Sequence, residues 1–386
     1  TLLTGLYAHN HGVKGNSPPE GGFPAFQDFS TLATWLKNSG YQTSMVGKYL
    51  NAYGFVTNSQ TYIPPGWDDW HAIVKGSSQY GFYYDYQLNE NGTVNQYGIA
   101  PADYSTTVFA NKAEAFINAT STAQPFFILV APHGPHSPFL PEPLDIGSLA
   151  GIPPARPPSF NEADVSDKPQ WVKNLVLFTP TEIAQIDLDR QAYLEMLSSE
   201  DRAIQQIYNA LQNKGVLNNT IFIFTSDNGY SWGEHRWFEN KNCVYEECIR
   251  VPLWVRVPGQ TPKVINNLIS SIDLAPTISE MAGIIPPNLV NGKSFVPLME
   301  NISTPWRSEI LLESFGHGSK YPTLTNLRSF SAIREDQYKY VEYINGDKEF
   351  YDLAVDSYEL NNSINNPAYS SIINNLKAKL TNLKAQ

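Results

Sequence analysis

The 386-residue chain sets 26 Lys and Arg against 37 Asp and Glu, a formal net charge of −11. So acidic a balance argues against nucleic acid as a partner, because phosphates need a basic footprint. No apolar run approaches the ~20 residues of a membrane-spanning helix, and the length favours one large α/β unit plus a smaller piece over a single small core.

The first segments are Thr1-Leu2-Leu3-Thr4-Gly5 and His9-Asn10-His11-Gly12-Val13, in which His9 and His11 read as structural. Gly40-Tyr41-Gln42-Thr43 and Gly47-Lys48-Tyr49-Leu50-Asn51 follow, then the turn-rich Pro64-Pro65-Gly66-Trp67-Asp68-Asp69-Trp70. Pro125 to Ala131 is an apolar strand candidate running into Pro132-His133-Gly134-Pro135-His136-Ser137-Pro138. Two histidines in a proline-stiffened turn suit fixed placement of an imidazole, an acid or base near neutral pH; a solvated loop histidine is the plain alternative. Between Pro138 and Pro180 the chain is proline-rich and weakly periodic, so long an irregular stretch that it reads either as the rim of a pocket or as a surface connection. From Leu188 the apolar residues Tyr193, Leu194, Leu197, Ile204, Ile207 and Leu211 recur at helical spacing until Lys214-Gly215, a C-terminal signal.

Ile221-Phe222-Ile223-Phe224 reads as a strand covered on both faces, as in a parallel sheet. It ends in Thr225-Ser226-Asp227-Asn228-Gly229. Ligands of open α/β sheets sit beyond the carboxyl ends of strands, and Asp227 with Asn228 offers two hard oxygens to a divalent cation such as calcium (Ca2+). A capped polar turn explains the same residues. Further on, Lys241 precedes Tyr245-Glu246 by four residues, and Ile249 to Val257 resumes a strand. An ammonium beside a divalent metal makes a pocket for a tetrahedral oxyanion; a solvated surface lysine is the alternative. Ile272 to Gly283 predicts a helix with Pro276 in its first turn.

Beyond Thr304-Pro305 the pattern shifts to short strands at Glu309–Glu313, Ser329–Arg334 and Tyr338–Tyr343, with Asn345-Gly346 as a hairpin turn before Glu349-Phe350-Tyr351 and a closing helix from about Ser370. The fold class is therefore α/β: a large, mostly parallel central sheet flanked by helices over 1–303, and a small C-terminal antiparallel sheet plus helix over 304–386. The two cysteines, Cys243 and Cys248, make no disulfide framework, and a five-residue separation is awkward for a bridge if the segment is helical. Sequons at Asn91, Asn118, Asn218, Asn301 and Asn361 agree mildly with a secreted, extracellular or lysosome-like location.

Taken in order, these segments resemble the sulfatase family of the alkaline phosphatase superfamily, in particular its N-acetylglucosamine-6-sulfatase-like and fungal or bacterial arylsulfatase branch. Thr1–Gly5 resembles the tail of the family signature, and Pro64–Trp70 its substrate-side loop. The resemblance implies hydrolysis of a sulfate monoester, an aryl sulfate or a sulfated sugar. It implies Asp227 and Asn228 as metal ligands, for Ca2+ in preference to Mg2+. It gives Lys241 to the sulfate and leaving oxygen, Lys48 to the nucleophile or a sulfate oxygen, and His136 to protonation of the leaving alcohol. His235 is left as a substrate contact or a structural residue beside Trp237. The family nucleophile is a formylglycine made from Cys or Ser in a Cys/Ser-x-Pro-Ser-Arg segment just upstream of the part matched by Thr1–Gly5. That segment, and a first strand with a pair of metal-binding aspartates, are expected to precede Thr1; without them the chain is expected to be inactive. Neither Cys243 nor Cys248 has the signature context. Many members place a His two residues after the Gly-Lys lysine, where this chain has Leu50. Phosphodiesterases and phosphonate monoester hydrolases of the superfamily, and a non-catalytic secreted glycoprotein, are the competing readings.

Overall fold

The structure, a computed structural model, describes residues 1–55, 60–316 and 328–386. A short helix α1 (Ala8–His11) and the helix α2 (Leu32–Asn38) precede β1 (Gln42–Gly47). β2 (Asp69–Lys75), β3 (Gln87–Glu90), β4 (Thr93–Gln96), α3 (Ser105–Ala119) and β5 (Phe126–Ala131) follow. These strands form one sheet in the order β4-β3-β2-β1-β5. Its core is parallel: β1 pairs with β2 from Ser44↔Asp69 and with β5 from Gln42↔Phe126 to Gly47↔Ala131. The outer β3 and β4 are antiparallel additions.

Alternation along β5 sorts its side chains to two layers. Phe126, Ile128 and Val130 meet Ala113 and Ile117 of α3 and Ile207, Ala210 and Leu211 of the long helix further on. Phe127, Leu129 and Ala131 meet Met45, Trp67 and Trp70 on the other side. The turn at Pro64–Trp70 thus serves the core. Trp67 and Trp70 are buried, Thr43 Oγ1 donates to Gly66 O (2.5 Å), and Ser44 Oγ donates to Asp69 Oδ2 (2.8 Å). These contacts sit where β1 begins, and Lys48 follows its other end, which corrects the substrate-side reading of this loop.

The irregular stretch contains only the short α4 (Gln170–Lys173) before α5 (Pro180–Asn213), a helix of 34 residues. α5 begins eight residues before Leu188 because Thr179 and Glu182 form a reciprocal capping box around Pro180. Next come β6 (Phe222–Thr225), β7 (Ser231–Trp232), β8 (Phe238–Asn240), α6 (Glu246–Ile249), β9 (Leu253–Arg256), α7 (Leu274–Met281) and α8 (Val296–Glu300). β6 packs on both faces, although each of its residues is half-buried where the apolar run predicts full cover. Phe222 joins the layer under α5, and Ile223 packs with Leu253, Leu274 and Leu298. Its partner, however, is the antiparallel β9. Among the described residues β5 pairs only with β1 and β6 only with β9, although both strands lie under α5.

The C-terminal sheet runs β10 (Glu309–Ser314), β11 (Phe330–Glu335), β12 (Tyr338–Tyr343), β13 (Lys348–Asp352), in that spatial order and antiparallel throughout. Leu376, Leu380 and Leu383 of α9 (Ser370–Leu383) cover one face through Ile333, Tyr340 and Phe350. The other face meets Trp171, Trp237, Val244 and Tyr245. A buried polar seam fastens this junction. Glu349 accepts from the hydroxyls of Tyr245 (2.8 Å), Tyr343 (2.6 Å) and Tyr351 (2.6 Å), and Lys339, 0 % exposed, donates to Val244 O (2.8 Å). Cys243 and Cys248 are disulfide-bonded across 5.6 Å between Cα atoms. The expected obstacle is absent because only Cys248 lies in α6; Cys243 precedes the helix, so the chain can curl back.

Two backbone approaches constrain the ends of β1 and β5. Gly47 has φ 118°, and a Cβ there would stand 2.2 Å from Ala131 O. Gly47→Ala is therefore expected to lower stability by more than the roughly 1–3 kcal/mol of backbone strain alone, read as an earlier urea midpoint. At the end of β5, the Glu200 carboxyl of α5 lies under Gly134, where a Cβ would meet Glu200 Oε1 at 2.3 Å; it accepts from Thr106 Oγ1 (3.0 Å). Burial pushes Glu200 up from 4.5 to about 8, with the Thr106 bond opposing. The folded chain thus keeps a proton that the unfolded chain releases above pH 4.5. This stabilising contribution is complete below that pH and is lost as pH rises towards 8. Glu200→Gln should flatten the fall in Tm between pH 5 and 8; an unchanged slope would show that Glu200 is ionised in the fold.

Candidate active site

The ends of three strands deliver the chemistry. Lys48 follows β1 directly, and its N–H bonds to Ala131 O (2.7 Å), so the turn after β5 begins beside it. In that turn His136 N–H bonds to His133 O (3.0 Å), and the Tyr83 hydroxyl donates to His136 O. His133 is buried against Phe82 (4.8 Å between centroids) and against His136 (4.7 Å). His136 places Nδ1 2.7 Å from Ser137 O. A carbonyl can only accept, so Nδ1 carries hydrogen and Nε2 is left to exchange a proton.

Asp227 and Asn228 occupy the turn after β6, with Ser226 Oγ donating to Asn228 O (2.9 Å). Gly229 is required here because a Cβ would stand 2.0 Å from Glu247 O, and its N–H bonds to Cys248 O (2.9 Å). Lys241 comes from the segment between β8 and the disulfide.

The electrostatics of these groups are mutual. Burial lowers the Lys48 pKa, the Lys241 ammonium lowers it further, and the Asp227 carboxylate opposes both. His136 has part of its ring open to solvent. The protein packed around it lowers its pKa, the bond to Ser137 opposes this, Lys241 and Lys48 add to the depression, and Asp227 opposes it. Burial, with His136, Lys48 and Lys241, takes His133 down to about 2. The structure thus brings Lys48, His136, Lys241 and Asp227 into one electrostatic neighbourhood, with Asn228 beside Asp227.

His235 does not join them, and its expected contact with substrate needs correction. It is 0 % exposed, stacks on Tyr245 (3.9 Å between centroids) and places Nδ1 2.7 Å from Glu162 Oε2. Burial, with Lys168 nearby, lowers it to about 3. The seam beneath the C-terminal sheet claims the ring, because Trp237 and Tyr245, both further along the chain, are core residues of that seam.

The donor set at the end of β6 fits a hard cation in kind, a carboxylate and an amide, with Asn228 Nδ2 turned to Gly229 O (2.9 Å) and its Oδ1 left to accept. It fits only in part. Calcium takes about 6–8 oxygens, and among the described residues no group of three or more His, Cys, Asp or Glu could hold a metal ion.

Sequence reasoning missed Tyr83, whose hydroxyl donates to His136 O, and Glu200, whose carboxyl lies close under Gly134 of the same turn. Glu200 had a signal: it shares a helical face with Met196, Ala203 and Ile207, all buried. A carboxyl on an apolar face needs an interior partner.

Comparison with known proteins gives the sulfatase family over residues 1–284 and the C-terminal part of N-sulphoglucosamine sulphohydrolase over residues 233–386. A putative extracellular sulfatase Sulf-1 homolog of Caenorhabditis elegans is 34% identical over 344 residues, 85% of this chain and 47% of the relative. Human N-acetylglucosamine-6-sulfatase is 34% identical over 331 residues, 82% of this chain and 59% of the relative. The chain thus spans about half the length of these curated relatives. Among solved structures, one of a protein in complex with its substrate D-glucosamine-2-N,6-O-disulfate superposes with TM-score 0.79 at 23% identity, covering 100% of this chain and 86% of the other. The phosphonate monoester hydrolase of Agrobacterium radiobacter superposes with TM-score 0.77 at 21% identity, covering 100% and 85%. The two solved structures establish the shared α/β fold, and the family match over 1–284 with the 34% identical relatives establishes that the chain belongs to the sulfatase family.

Proposed function

We propose that this chain supplies the oxyanion pocket and proton donor of a hydrolase acting on sulfate monoesters, with a sulfated sugar as the favoured substrate class and an aryl sulfate as a simpler one. The observation that carries this reading is the gathering of Lys48, His136 and the Asp227–Asn228 pair, from the ends of β1, β5 and β6, with Lys241 from the segment after β8. Burial and then the Lys241 ammonium lower the Lys48 pKa; an anionic tetrahedral group between the two ammonium groups offsets both costs. Lys48 and Lys241 would hold the sulfate oxygens. Burial, and then their positive charge, lower the proton affinity of His136, and the negative charge of a bound ester raises it. His136 Nε2 can then give a proton to the leaving oxygen while Nδ1 stays tied to Ser137 O.

Asp227 and Asn228 would hold calcium together with oxygens from elsewhere, and the cation would supply charge neutralisation and alignment of the ester. The nucleophile in this reading is a formylglycine on a segment preceding Thr1. An extracellular or lysosome-like location is supported by the extracellular relatives and by the Cys243–Cys248 disulfide, a bond of oxidising compartments. No helix among the described residues is long and apolar enough to cross a membrane.

The test uses a protein that includes the upstream segment. Lys241→Ala should cost about 10² to 10³ in kcat/KM on 4-nitrophenyl sulfate and on glucosamine 6-sulfate alike. His136→Ala should cost about 10² or more on the sugar ester, whose leaving alcohol needs a proton, and far less on the nitrophenyl ester. Faster turnover of a phosphonate monoester than of either sulfate would overturn the reading in favour of the reaction of the other fold neighbour. Of the five sequons, Asn91 is engaged at both ends of its amide, accepting from Trp70 N (2.7 Å) and donating to Asp69 Oδ1 (3.1 Å). Expression through a secretory route should therefore glycosylate Asn118, Asn218, Asn301 or Asn361 in preference to Asn91, as mapped by mass spectrometry after glycosidase treatment.

A further inference from the structure

A cluster of four aromatic rings stands immediately beside the groups just described. Phe139 lies three residues after His136. Tyr230 and Trp232 lie three and five residues after Asp227. Tyr193 comes from α5. The ring centroids of Tyr193 and Tyr230 are each 5.0 Å from Trp232, and Phe139 is 5.4 Å from Trp232 and 6.2 Å from Tyr193. Three separate stretches of chain thus meet at one place. The cluster is also tied to the site electrostatically, since burial and then the Asp227 carboxylate raise the Tyr193 phenol.

These rings are not packed like the core aromatics. Trp70 and Trp171 are 0 % and 1 % exposed, whereas Phe139, Tyr193, Tyr230 and Trp232 all keep part of their surface at solvent. A wall of partly solvated aromatic faces, next to a pocket for an anion, has the composition of a ligand wall: apolar faces with a few placed polar groups. Its rear is supported, because Phe139 also packs against the buried group of Tyr83, Tyr84, Tyr104 and Met196.

We infer that the Phe139–Tyr193–Tyr230–Trp232 wall binds the ring of the ester's alcohol half, a pyranose or an aryl ring laid against the aromatic faces while its sulfate enters the Lys48–Lys241 pocket. The inference rests on the sulfate-ester reading and adds what that reading lacks, a site for the part of the substrate that leaves. A sugar offers the C–H face of its ring to such a wall and an aryl ester offers its π-face, so both classes use the same surface.

The experiment is calorimetric binding to the protein that includes the upstream segment, with its nucleophile residue replaced by alanine to stop turnover, using inorganic sulfate, methyl sulfate and glucosamine 6-sulfate as probes, on that background and with Trp232→Ala, Trp232→Phe or Lys241→Ala added. The background protein should bind glucosamine 6-sulfate about tenfold or more tightly than methyl sulfate, which has no ring. Trp232→Ala should remove that tenfold margin, the size expected of one lost stacking contact, and leave inorganic sulfate affinity within twofold. Trp232→Phe, which restores a flat ring, should recover most of the margin, and unchanged sulfate binding in each variant shows that it folds. Equal affinity of the background protein for the ring and ringless esters would overturn the inference, as would loss of sulfate affinity in Trp232→Ala in proportion to loss of the sugar ester. Inorganic sulfate affinity that is absent in the background protein, or untouched by Lys241→Ala, overturns the oxyanion pocket itself, and with it the wall as its companion.

Discussion

The parallel pairing of β1 with β5 places its closing contact where it matters most. Gly47 lies against Ala131 closely enough that no other residue fits, and Lys48 follows the one strand while the histidine turn follows the other. Lys48 is fixed by its own N–H on Ala131 O, and the histidine turn leaves β5 at the same height. A sheet is a stiff support, so a side chain one residue beyond its last hydrogen bond inherits that stiffness. The histidine turn is additionally held by the Tyr83 hydroxyl on His136 O, with the Glu200 carboxyl close under Gly134.

The pocket assembled in this way is electrostatically unfavourable when empty. Lys48, Lys241 and two imidazoles stand together; burial first, and then the neighbouring ammonium charges, depress the pKa values of Lys48, His133 and His136. Such a cost is stored by the rest of the fold and relieved by a ligand of opposite sign. The acidic net charge of the whole chain makes the local excess of positive charge more informative, since it is not a sample of a basic surface. Asp227 is the counterweight, and its position at the end of β6 makes it the natural neighbour of a cation.

Much of this was legible in the sequence because strands and turns announce themselves locally. The apolar runs at Phe126–Ala131 and Phe222–Thr225 marked strands, their polar ends marked the site, and Asn345-Gly346 marked a hairpin that is present with Gly346 at φ 93°. What was not legible depended on contacts between distant segments. The role of His235 could not be read from its sequence neighbours, because Glu162, 73 residues away, and Tyr245 decide its burial. The Pro64–Trp70 turn is attached to the opening of β1 by hydrogen bonds that only the register reveals. The Cys243–Cys248 bridge needed the knowledge that α6 begins after Cys243.

The seam under the C-terminal sheet bears on how this chain can be divided. Lys339 of β12 holds Val244 O, and Glu349 of β13 holds the Tyr245 hydroxyl. Both anchors lie within four residues of Lys241, and the Cys243–Cys248 bond lies between. The segment from β10 onward is therefore not a detachable module: cutting before β10 leaves Tyr245 and Glu246 without their buried counterparts and loosens the segment that carries Lys241. Homologous recombination that exchanged this sheet between relatives would carry a hidden constraint, since the donor sheet must present a lysine and a carboxylate at these two depths or the segment carrying Lys241 loses its footing.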